Sequence, residues 1–192
     1  IYKGLAEKVF TEAKRDMAHV APDAMDWVPI DPERLQRVYD DLVLSHGASI
    51  LFHTMLAGVN VDNGTVTSIV VNNKSGLTAY SAKIYIDTTG DADLAAWAGA
   101  PFLKGDGPDP AHPSGLQPAT HCFTLSNVDD YAYRTSPWLH QTNPKSAIYD
   151  ILKSGKFPEI PDFHICNNIV GPGTVGFNAG HLYNVDSTNP HS

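Results

Sequence analysis

Asp87-Thr88-Thr89-Gly90-Asp91 places two carboxylates, two hydroxyls and a glycine in five positions. It stands between an apolar run, Ile84-Tyr85-Ile86, and an alanine-rich stretch that ends at Pro101. That order predicts a strand over Lys83 to Asp87 and a tight turn at Gly90. A helix follows, capped by Asp91, with Leu94, Trp97 and Ala98 facing inward. Ligands of open α/β sheets sit at turns of this kind, at the carboxyl end of a strand. The same residues also make a plain strand-to-helix connection, which many unrelated chains contain.

Other reactive side chains group less well. The nine histidines never fall at the spacing of a compact zinc site and no CxxC occurs, so no metal is expected. No G-x-S-x-G elbow marks a hydrolase. Cys122 and Cys166 could form one disulfide, and without a secretion signal they read rather as two unpaired, buried thiols. The letters GPGTVG at 171–176 match a dinucleotide fingerprint, but no helix follows and no acidic residue stands about 20 positions on, so the stretch reads as a turn.

The elements that must position these residues follow from periodicity and caps. Leu5, Val9, Ala13 and Met17 recur every four residues and predict an amphipathic helix from Gly4 to Val20, its lysines outward. A connector with a buried Trp27 follows. A second helix opens on Asp31-Pro32 and closes at Gly47. Ser49 to His53, Met55 to Asp62 and Thr65 to Val71 read as extended, with Asn63-Gly64 a two-residue hairpin. Leu77 to Tyr80 then pairs back.

After a long loop from Lys104 to Gln117, Ala119 to Leu125 reads as a strand and Val128 to Tyr133 as a polar connector. A short helix runs through Lys153, and Phe163 to Val170 and Thr174 to Val185 form two strands joined by Gly171-Pro172-Gly173. The class is therefore α+β.

Composition narrows the partners. The 192 residues are 42% hydrophobic and 18% charged, enough for a core. A net charge of −8, with 13 lysines and arginines spread thinly, argues against nucleic acid and anionic membranes. No apolar run approaches the roughly 20 residues of a membrane span, and no leader precedes the first helix, so a cytoplasmic location is expected. The start at Ile1 and the end at Asn189-Pro190-His191-Ser192 suggest a piece of a longer chain.

The capped helix DPERLQRVYDDLVLSHGA, the stretch SILFHTMLAGVNVDNGTVTSIVV, the motif IDTTGDADLAAWAGAP and then SGLQPATHCFTLSNVDD carry a likeness. Together they resemble FAD-dependent oxidoreductases with a glutathione-reductase-type flavin domain, in their bacterial branch. The resemblance implies that residues 1–100 are a partial, incomplete α/β flavin-binding domain with an antiparallel meander. Residues 101–192 would be a substrate-side α+β unit. It also implies that backbone groups near Gly58 and Val59 lie beside the adenine end, and that Thr89, Gly90 and Asp91 approach the ribose and pyrophosphate.

The family's turn usually reads Asp-Ala-Thr-Gly-Asp, and here Thr88 replaces the alanine. Its strand–GxGxxG–helix unit is absent from this sequence, so FAD is expected in the full-length parent and not to be retained by this fragment, which is expected to be inactive alone. The remainder of the parent chain and an unknown small-molecule substrate are the implied partners. His112, His121, His140, Arg134 and His181 are candidates to polarise a carbonyl or carry a proton, with no catalytic residue assigned. A different class stays open: a non-catalytic α+β carbohydrate- or protein-binding module lined by Tyr131, Tyr133, Trp138, Phe157 and Tyr183.

Overall fold

A computed structural model describes residues 3–24, 28–105, 107 and 115–191. Trp27 and His112 lie outside the described residues, as does most of the loop from Lys104 to Gln117. The architecture is α+β, with two three-stranded sheets in which every pairing is antiparallel. The chain divides into two compact units: Ala48–Lys104, and Ile1–Gly47 together with Gly105–Ser192.

In the larger unit, α1 (Leu5–Ala13) is shorter than its apolar period suggests. The chain leaves the helix because Lys14, expected at the surface, is buried and its ammonium donates to the Ala24 carbonyl. Tighter i→i−3 bonds then carry the chain through Met17, which stays in the core, to His19, whose Nε2 lies 2.9 Å from the Ile169 carbonyl oxygen. Helix α2 (Pro32–Ser45) matches its signals: the Asp31 carboxylate accepts from the N–H groups of Glu33 and Arg34, and Gly47 follows at φ 76°. Arg34 ties the two helices together, donating to the Glu12 carbonyl at 2.6 Å and pairing with Asp16.

In the smaller unit, β1 (Met55–Asp62), β2 (Thr65–Asn73) and β3 (Gly76–Tyr80) form a meander. Asn63 and Gly64, at φ 47° and 78°, make the primed turn that matches strand twist. Two predicted strands are absent. Residues 49–53 are irregular, with His53 at φ 51°, and residues 83–87 join neither sheet. A strand exists only through its partner's hydrogen bonds, and no described segment pairs with 83–87. Ile84 and Ile86 are accordingly 78% and 80% exposed, while Tyr85 is anchored by its hydroxyl, which donates to the Thr67 carbonyl.

Returning to the larger unit, β4 (Ala119–Leu125), β5 (Ile165–Gly171) and β6 (Thr174–Leu182) form the second sheet in the order β4-β6-β5. Pro172-Gly173 is the two-residue loop of its hairpin, with Gly173 at φ 59°, so 171–176 is the tip of a hairpin with no helix after it, as expected. Ile165, Ile169 and Val175 are buried on one sheet face, and Ile148 of α5 (Ala147–Lys153), Ala13 and Met17 complete the core. The polar connector after β4 contains a short helix, α4 (Asp130–Thr135), capped by Asp129, a start signal that its aromatic composition obscured.

Candidate functional site

In the smaller unit the turn is organised by Asp87. One carboxylate oxygen accepts from the Thr89 N–H at 2.9 Å and the Thr89 hydroxyl at 2.7 Å, and the other accepts from the Ala95 N–H at 2.9 Å. Thr89 Oγ1 in turn accepts from the Asp93 N–H at 2.8 Å. Thr89 and Asp87 therefore satisfy the first amides of α3 (Asp93–Trp97), the service expected of Asp91. Asp91 is exposed and bonds no helix amide, because Ala92, at φ 58°, lies between it and the helix. The left-handed residue of the turn is thus Ala92, and Gly90, expected to make the sharp bend, keeps an ordinary φ.

Gly99 at φ 90° closes α3, with Gly99 N–H bonded to Ala96 O and Ala100 N–H to Ala95 O. Hydrogen bonds from Thr89's hydroxyl first, then from the Ala95 and Thr89 amides, hold the Asp87 carboxyl below its usual value of 3.8.

Gly90 has no conformational need to be glycine, and a Cβ built there would meet no atom within 4 Å. The space in front of it is open, and the N–H groups of Gly90 and Asp91 have no partner among the described residues. Backbone donors beside an open face can receive the oxygens of a phosphate or ribose. Of the other expected contact, Val59 lies in β1 opposite Ile69, half-buried, and α3 packs against that strand.

In the larger unit two polar groups converge. Asp162 Oδ2 lies 2.7 Å from His181 Nδ1 and also accepts from the Tyr183 hydroxyl, and Oδ1 accepts from the His164 N–H at 2.9 Å. Partial burial pushes the Asp162 carboxyl up, but the bonds from Tyr183, His181 and the His164 amide outweigh it and leave it lowered. The same carboxylate, as acceptor first and then by its charge, raises Tyr183 above its usual 10.0. An ionised carboxylate at Nδ1 fixes the proton there, so Nε2 of a neutral His181 carries the free lone pair of a base. The imidazole of His164 stacks on His181 at 3.9 Å.

The second group faces a cavity of about 910 Å³ on the opposite side of the sheet from Ile165 and Ile169. Residues 138–142 run along the outer edge of β5, where Gln141 N–H donates to Ile165 O and Asn167 donates to Leu139 O. This brings His140 Nε2 to 3.3 Å from Cys166 Sγ. Both cysteines are free, but neither is buried as expected: Cys122 is exposed and Cys166 half-buried, because both stand on the cavity face.

Of the five candidate polar residues, then, His181 and His140 have oriented partners. His121 lies tilted against Phe123 on an exposed surface, Arg134 is an exposed residue in the last turn of α4, and His112 is outside the described residues. Asp162 and Cys166 were missed, since they contact residues 19 and 26 positions away and no local pattern links them. The capping role of Asp87 was legible only as a carboxylate beside a turn.

The family model for FAD dependent oxidoreductases matches residues 1–191, essentially the whole chain. The chain belongs to that family. No curated protein and no solved structure matches it. Among the described residues no helix is long and apolar enough to cross a membrane, and no group of three metal-ligating side chains occurs.

Proposed function

We propose that this chain supplies part of the flavin site and the substrate-side surface of a larger FAD-dependent oxidoreductase, one with a glutathione-reductase-type flavin domain of the bacterial kind. When bound, the isoalloxazine supplies the acceptor for a hydride or electrons, and the protein's part is orientation, electrostatics and substrate shape. The observation that carries the reading is the open face at Gly90, in a chain whose family binds FAD.

The N–H groups of Gly90 and Asp91 receive the pyrophosphate, the Asp91 carboxylate accepts from a ribose hydroxyl, and the β1 backbone at Val59 lies beside the adenine end. Thr89 is committed to Asp87 and Asp93, so its share is to hold the turn in shape. On the substrate side, His181 takes a proton at Nε2 while Asp162 stabilises the cation that forms. The substrate is a small molecule, the location is the cytoplasm, and residues 101–192 act as the substrate-side unit.

The phosphate-binding strand–GxGxxG–helix comes from the remainder of the parent chain. The 192-residue chain alone therefore holds FAD weakly. Gel filtration of the chain with excess FAD checks this: the expected product is colourless, and a stoichiometric flavin band overturns it. In the full-length parent, Gly90→Val lowers FAD occupancy and leaves thermal stability unchanged. Unchanged occupancy removes the turn from the site.

A further inference from the structure

The cavity of the larger unit holds a thiol whose surroundings the flavin reading does not use. Cys166 Sγ and His140 Nε2 are 3.3 Å apart, and the other ring nitrogen decides which of them donates. The Thr142 backbone N–H donates to His140 Nδ1 at 3.1 Å, so Nδ1 offers its lone pair and the proton of the neutral ring is on Nε2. Nε2–H therefore points at the sulfur. Trp138 stacks on the same ring at 3.9 Å and 12°, which fixes its plane.

The sheet adds a second arrangement. Cys122, Asn178 and Cys166 occupy one row across β4, β6 and β5, and all three line the cavity. The Cys122 thiol donates to Asn178 Oδ1 at 3.9 Å, which leaves the Asn178 N–H₂ without a partner among the described residues. Val28, Ile30 and Val170 contribute apolar wall, and the volume suits a small organic ligand. A soft nucleophile, an N–H aimed at it, an amide donor one residue away in the same row and apolar walls suit the addition of a thiol to a conjugated carbonyl compound.

We propose that Cys166 is a nucleophilic thiol, with His140 as its positioning residue, and that the cavity takes small apolar ligands carrying an α,β-unsaturated carbonyl. In the step, Cys166 gives its proton to water and Sγ forms a bond to the ligand's β-carbon. The electron pair of the C=C bond moves toward the carbonyl, where the Asn178 N–H₂ can donate to the oxygen. A proton from water ends on the α-carbon. The product is a thioether, and no oxidant or reductant is consumed. His140 N–H meets the negative charge on sulfur during attack.

The test uses N-ethylmaleimide, a conjugated imide, and iodoacetamide, which alkylates by displacement, on the 192-residue chain near neutral pH. Mass spectrometry reads each cysteine separately. N-ethylmaleimide is expected to modify half-buried Cys166 about tenfold faster than exposed Cys122, and the preference for it over iodoacetamide to be larger at Cys166. His140→Leu is expected to slow Cys166 by about tenfold and leave Cys122 unchanged, with circular dichroism confirming the fold. Cys166 reacting no faster than Cys122 overturns the nucleophile. An equal reagent preference at the two sites overturns the ligand class, and an unchanged rate in His140→Leu overturns the role of His140. The wild-type comparison decides the first two points even if the variant does not fold, and none of the arms involves FAD.

Discussion

Asp87 organises the turn before α3, and Asp162 holds the His181–Tyr183 cluster. Both have folded-state pKa values below 3.8, so the stability each provides is present above that value and lost as pH falls through the lower, folded one. For Asp87 the loss is local: its partners are the Thr89 and Ala95 amides and the Thr89 hydroxyl, all in the turn and the first residues of α3. Acidification below about pH 3.8 should therefore fray α3 before the sheet, and Asp87→Ala should do so at neutral pH. Amide exchange at Ala95 and Thr89 reads both, and protection unchanged in the variant counts against the capping role. Asp162 is read through its neighbour. Because its carboxylate holds Tyr183 above 10.0, Asp162→Ala should let that phenol titrate closer to 10.0 in an ultraviolet absorbance titration. No change in the tyrosinate curve would mean that the cluster is not formed.

Among the elements, the β5–β6 hairpin is sensitive to single changes both at its turn and in its core. Gly173 is left-handed at φ 59°, its N–H donates to the Asp130 carboxylate, and a Cβ there would lie 3.4 Å from the Val128 carbonyl oxygen. Gly173→Ala should cost about 1–2 kcal/mol in urea unfolding. Val175, the most completely buried side chain of the same hairpin at 1% exposure, should cost about 2 kcal/mol when cut to alanine. This hairpin, the Asn63-Gly64 turn and α2 were legible in the sequence because each is specified within a few residues, by a glycine at a positive φ or by Asp31 before Pro32. What was not legible depends on distant groups. Residues 83–87 have strand composition and lack a described partner, Lys14 is drawn inward by a carbonyl ten residues away, and Cys166 meets His140 across 26 residues. The turn at Asp87–Asp91 was therefore legible, while the Cys166–His140 and Asp162–His181 pairs of the larger unit were not.

The whole molecule is two units of different connectivity. Residues 48–104 are one continuous stretch whose strands pair only with their neighbours in sequence, whereas the other unit needs both ends of the chain. His19 reaches Ile169 across 150 positions, and β4 waits for β6, which ends at Leu182. Loop closure over such separations is slow compared with closing a hairpin. On the ribosome the order of appearance is then fixed. The meander can close as soon as Tyr80 leaves the exit tunnel, while α1 and α2 must wait, with the apolar Met17 and Ala13 uncovered, until β5 and β6 have been made. A chain stalled before residue 165 should protect the amides of residues 55–80 and leave those of β4 exchanging freely. Truncation within β6 should release a half-finished product rather than a smaller folded one.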